Sequence, residues 1–417
     1  MTDQTQQLRA EVTHWRLAAD ALADLEVVAS PAAWAALEQY LHHRVRARLG
    51  EVVTALRTEA RMVERMLEAD APTDEVRRAL LRLRARYLRA ETLIDFFGDA
   101  VNSRASTKLA ELLRGYDIVA SESMEAALAP LGIAGPPALV YHDKGLGASI
   151  LRAGIRLWDR SHPSPVAAIK LTRHNLTFPT ALLHESGHQV NALSGYNDEL
   201  RHHLHAALTR RSERIADLVA SWSSEIGADV HAFHQAGCAP VFALSNVVDG
   251  PSSHVFRVRL GDPHPPPYLR VLFNVELLRA WYRSGPWDDL AATWTERHPV
   301  AAAGSAQELT VEVLRALPSL VEICSRTPMR CFRGAAFGDV VDPRRVSPAS
   351  LRAFELEAGG TLLTSTYLQR SQPVRVVALL TTRGVLEPAR AMQHRDALVE
   401  WVRSLGRHGR TEQGTAA

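Results

Sequence analysis

The stretch Leu183-His184-Glu185-Ser186-Gly187-His188-Gln189-Val190 constrains this chain more than any other. Histidines at i and i+4 lie one above the other on a helix, so both imidazoles reach a single ion only if the segment is helical. Glu185 points to an adjacent sector, from which a carboxylate can hold a water in the ion's open position. Apolar Leu182, Leu183 and Val190 give the helix a surface to seat in a core. Gly187 removes bulk between the two histidines, at a helix cost of about 0.8–1.0 kcal/mol relative to Ala. Pro179 stands where a first helical residue is expected, and the upstream run 165–171 (PVAAIKL) has strand character.

Imidazole and carboxylate donors with an open fourth position are the usual hydrolytic set of zinc, so one Zn2+ per chain is expected. The third ligand has a candidate in Ser224-Glu225-Ile226-Gly227-Ala228-Asp229, which puts two carboxylates one turn apart on a second helix. Glu225 can ligate the ion. Asp229 can accept the outer N–H of a ligand histidine and so fix its tautomer.

His184-Glu185-x-x-His188 followed by Glu225-x-x-Ala228-Asp229 resembles the gluzincin zinc metallopeptidases. It is most similar to the branch holding the CAAX prenyl proteases and the bacterial membrane quality-control peptidases. His264-Pro265-Pro266-Pro267-Tyr268-Leu269-Arg270 matches the spacing of that branch's His-Pro-x-x-x-x-Arg element. The resemblance spans residues 160 to 285 and implies a zincin-like core acting on a peptide or protein substrate, with Glu185 as general base. It also implies that His264 stabilises the oxyanion, with Arg270 structural or supporting. From chemistry alone a donor near the metal is needed, and Tyr268 and Tyr282 are rivals for that role. The membrane-spanning helices of those enzymes have no counterpart here, so the chain reads as a soluble relative. PVAAIKL is expected to be an edge strand beside the site, to which an extended substrate can add through backbone hydrogen bonds. Three other readings stay open: a regulator or adaptor that retains zinc without catalysis, a zinc hydrolase of a non-peptide bond, and an autoinhibited peptidase whose N- or C-terminal region covers the cleft.

Composition narrows the setting. With 417 residues, 46% of them hydrophobic, the chain can bury at least one large core. The formal charge is only +2 and the arginines are interleaved with acids, which lacks the concentrated basic face a nucleic-acid binder needs. No run approaches the roughly 18–20 apolar residues of a membrane span. The polar N-terminus lacks a signal-peptide pattern. Three cysteines at no motif spacing read as reduced thiols, so a cytoplasmic location is expected.

The predicted fold class is α+β and predominantly helical, a zincin-like core with a small sheet and a helical N-terminal region. Residues 1–132 read as helices whose outer surface is a candidate for binding a protein partner, with Pro31 opening one helix. The steps Val53, Leu56, Ala60, Val63, Leu67 and Val76, Leu80, Leu83, Tyr87, Ala90, Ile94 predict an amphipathic helix pair, the second capped by Thr73. The metallopeptidase domain is expected over 133–327, with a strand at Ala138–His142 and helices over 180–193, 197–210, 211–236, 268–284 and 306–326. An α/β region is expected over 328–405, with a buried strand at 374–381 and a last helix over 389–405, then a disordered tail over 406–417. Among the other histidines, His202, His203 and His205 read as a solvated helix face, His174 as a turn residue, and His231 and His234 as candidates to line the pocket.

Overall fold

The computed structural model describes residues 3–144, 149–151 and 166–408. They fall into two compact units, one of residues up to Ala110 with Val166, the other of the described residues from Glu111 to Leu151 and from Ala167 onward. As the sequence predicts, the described residues are predominantly helical with one small sheet.

The first unit is built from α1 (Asp3–Ala21), α2 (Pro31–Leu41), α3 (Val45–Glu68) and α4 (Thr73–Asn102). Ser30 accepts from the Ala33 N–H and Pro31 opens α2, the expected start. The predicted stripes of α3 and α4 face each other: Leu56, Ala60 and Val63 share one core with Val76, Leu80, Leu83 and Ala90, joined by Leu8 and Val12 of α1. Thr73 is the first helical residue rather than the cap, because Pro72 takes the cap position and its carbonyl receives the Glu75 and Val76 N–H groups.

The second unit begins within α5 (Thr107–Leu128). Strands β1 (Ala138–His142), β2 (Ser149–Leu151) and β3 (Ala167–Leu171) form a sheet in the order β1-β3-β2, with β1 parallel and β2 antiparallel to β3. β3 is therefore central, not the edge strand expected of PVAAIKL; the short β2 covers the side that was to receive a substrate. Pro165 lies outside the described residues.

Helix α6 (Thr180–Ser194) carries the two-histidine motif, with Pro179 at its cap and Thr180 first in the helix. After α7 (Tyr196–Thr209), the helix expected over 211–236 is two: α8 (Glu213–Ser221) and α9 (Ser223–Ala236), broken at the buried Trp222. There follow α10 (Ala239–Val248), α11 (Ser252–Val255), α12 (Pro267–Tyr282), α13 (Pro286–Arg297) and α14 (Gln307–Ser325).

The C-terminal region holds α15 (Phe337–Val340), α16 (Pro348–Ala358), α17 (Thr366–Ser371), α18 (Pro373–Leu386) and α19 (Ala391–His408). The strand expected at 374–381 is a correction: this segment lies inside α18. Val376 to Thr382 are all buried, so the run carries no amphipathic period to mark it as helix, and Pro373 at the first helical position is the sign that does. Of the tail expected to be disordered, 406–408 close α19 and 409–417 lie outside the described residues.

Candidate metal centre

Helices α6 and α9 cross where both lack bulk. A Cβ on Gly187 would stand 2.8 Å from the His231 Cβ and 3.0 Å from the Ala228 Cα, and one on Gly227 would stand 2.7 Å from Asn191 Nδ2. The helices therefore meet nearly backbone to backbone, which brings the residues at 184 and 188 to those at 225 and 229.

Across that joint His184 Nε2 lies 3.4 Å and His188 Nε2 3.3 Å from the Glu225 carboxylate. One ligand atom from each of the three residues falls within 4.8 Å of the others, so this group can hold a metal ion. The outer nitrogens are engaged elsewhere: His184 Nδ1 donates to Asp229 Oδ1 at 2.8 Å, and His188 Nδ1 lies 3.2 Å from Ser224 Oγ. Each Nε2 is thereby turned to the centre, the arrangement that fixes a ligand tautomer.

Asp229 is in turn gripped from α12. Arg270 donates Nε to Oδ2 and Nη2 to Oδ1, both at 2.7 Å, and Asn274 donates to Oδ2 at 3.0 Å. Burial opposes ionisation of Asp229 and Glu225, but the Arg270 guanidinium and the histidine hydrogen bonds outweigh it and hold both carboxyls below the usual range. For His184 burial likewise opposes the charged form, yet its bonds to Asp229 and Glu225 prevail and push it up to about 10. The two carboxylates thus favour a positive charge on this histidine, and a metal ion held here would have to displace its proton.

These groups line a cavity of about 490 Å3 together with Glu185, which is 7% exposed and stands outside the ligand trio. Its charged walls are Glu185, Glu225, Asp229 and Arg270: three carboxylates against one guanidinium, an excess of negative charge that the proton on His184 offsets in part. Buried charge on that scale needs a counter-charge, and a divalent cation supplies it. The donor set therefore fits a divalent ion. Leu244, Val247 and Val248 of α10 form an apolar wall of the same cavity.

His264 reaches the cavity rim, its Nε2 3.5 Å from Glu225 Oε2 and its side chain 55% exposed. Tyr268 does not line this cavity. It is 1% exposed and packs on Phe256 at 4.5 Å between ring centres. The helix explains this: two residues before Arg270 is about 200° round from the face that Arg270 and Asn274, one turn apart, present to the site. Tyr282, the other rival donor, bonds the Pro343 carbonyl at 2.6 Å and is also absent from the cavity wall.

Nor do His231 and His234 line the pocket. His231 bonds Ser123 Oγ at 2.9 Å, and His234 lies between the Val341 carbonyl and Ser325 Oγ at 2.6 and 2.7 Å. His205 pairs with Asp217 on an exposed face and His174 sits in a short 3-10 turn, as expected. The three cysteines are free thiols. No helix among the described residues is long and apolar enough to cross a membrane. Asn274 and Asp262, both in contact with predicted site residues, were not legible in the sequence. Asn274 had one usable signal, its place one turn after Arg270.

No known protein family, curated protein or solved structure matches this chain.

Proposed function

We propose that this chain is a zinc-dependent peptidase of the gluzincin type. The observation that carries the reading is the His184–His188–Glu225 trio, two of its members buried, with the carboxylate of Glu185 in the same cavity. Zinc is favoured by the donor chemistry: two imidazoles and one carboxylate, with a further carboxylate beside them, are its usual hydrolytic set.

Zinc at these three residues supplies a water acidic enough to ionise near neutral pH and a Lewis acid for the scissile carbonyl. Glu185 orients the attacking water, takes its proton and delivers it to the leaving amine. His264, on the rim, faces the carbonyl oxygen as its negative charge develops. Arg270 and Asn274 hold Asp229, and Asp229 holds His184, so the chemistry rests on a brace behind the first histidine. The apolar wall of α10 receives a substrate side chain.

Elemental analysis is expected to find one zinc per chain in the wild type and none in His184→Ala. In Glu185→Gln the zinc stays and turnover of a peptide library falls by roughly 10²–10⁴-fold. Full turnover in Glu185→Gln, or a wild type that takes up no zinc on reconstitution, would end the proposal.

A further inference from the structure

One residue that the sequence did not single out stands behind His264. Asp262 Oδ1 accepts two hydrogen bonds from it, one from the backbone N–H at 3.1 Å and one from ring Nδ1 at 2.6 Å. The same oxygen thus fixes the main chain and the imidazole plane together. The loop around it is itself constrained. Gly261 takes a left-handed φ of +83° ahead of the hook, and Pro265 and Pro266 behind it are buried and lead directly into α12. The ring's other nitrogen, Nε2, is left to the cavity, 3.5 Å from Glu225 Oε2.

An Asp and a His two residues apart on a surface loop can also be no more than a turn. Two observations point further. The contacted nitrogen is the one remote from the metal ligands, which is how a carboxylate orients a working imidazole. And the side chains are 30% and 55% exposed, where an ion pair adds little to stability, so a purely structural return is small.

We infer that Asp262 is a positioning residue for His264, holding its ring so that Nε2 faces the carbonyl oxygen of a bound peptide. This rests on the peptidase reading above. It implies that an otherwise exposed histidine arrives at the reaction with its orientation already set, and that the loop from Gly261 to Pro267 is a rigid arm of the site.

The test uses the full chain loaded with zinc, a peptide substrate, and a dipeptide phosphonamidate that mimics the tetrahedral oxyanion. His264→Ala is expected to lower kcat and phosphonamidate affinity by at least about 100-fold. Asp262→Asn lowers both by about tenfold, with KM and bound zinc unchanged. The double variant is no worse than His264→Ala alone, because the aspartate acts only through the histidine. Losses that multiply in the double variant, an Asp262→Asn indistinguishable from wild type, or an unaffected His264→Ala would overturn the assignment. If no peptide is cleaved while phosphonamidate binding follows the same non-additive pattern, the positioning role stands and the peptidase reading falls. A zinc-loaded wild type that does not bind the phosphonamidate overturns both.

Discussion

Asp229 accepts hydrogen bonds from His184, Arg270 and Asn274, so one carboxylate joins three helices at a point behind the metal ligands. Its charge matters more than its shape. In Asp229→Asn, an amide replaces one acceptor oxygen with an N–H, which confronts either Arg270 or His184 with a second donor. Zinc affinity is then expected to fall by roughly 10–100-fold, read by chelator competition; unchanged affinity would show that His184 needs no orientation. At this scale the sequence was generous where spacing is diagnostic: His184, His188, Glu225 and Asp229 occupy the places their helical offsets demand. It was silent about Asn274 and Asp262, since a single amide or carboxylate near a motif has no signature until its partner is in view.

At the level of elements, the site is made by the joint between α6 and α9. Gly187→Ala tests this directly. Alanine gains about 0.8–1.0 kcal/mol in helix propensity, but its methyl would stand 3.0 Å from the Ala228 Cα, which is backbone and cannot swing aside. Overpacking of this kind costs about 1–3 kcal/mol, so net destabilisation by about 1 kcal/mol is expected, with weaker zinc binding because the ligand-bearing helices are pried apart. A calorimetric scan with a zinc titration reads both; a stabilised variant with full zinc affinity would mean the joint has slack. The sequence marked amphipathic helices well, because a half-buried helix writes its period into the chain. It misread α18, buried on nearly every side, and it placed β3 at an edge because Ser149–Leu151 is too short to stand out as a strand.

For the molecule as a whole, acid stability has an identifiable contributor. His234 donates Nδ1–H to the Val341 carbonyl, so Nε2 must accept from the Ser325 hydroxyl, which itself accepts from Trp281 Nε1. Protonation would turn Nε2 into a donor and leave the Ser325 hydroxyl proton without that acceptor. Burial pushes His234 down to about 4, against 6.5 for the ordinary side chain. Between those values the unfolded chain binds the proton and the folded chain does not. Stability from this group is therefore full above pH 6.5 and falls as pH drops toward 4, by about 1.4 kcal/mol per pH unit. Urea unfolding at pH 7.5 and 5.0 should show a smaller pH loss in His234→Asn than in wild type; equal losses would remove His234 as the cause.

The backbone contact at Gly187 has a further consequence, for ion selectivity. A site whose ligands ride on flexible loops can widen for a larger ion, whereas here the distance between ligand-bearing helices is set by main chain against main chain. Calcium wants six to eight oxygens at about 2.3–2.6 Å, which a pair of imidazoles and one carboxylate on a fixed spacing cannot furnish. Millimolar calcium is thus expected to leave the thermal midpoint where it was, while micromolar zinc raises it. Charge alone would welcome either ion; the expected preference comes from too few oxygen donors, held by two helices too closely joined to recruit more.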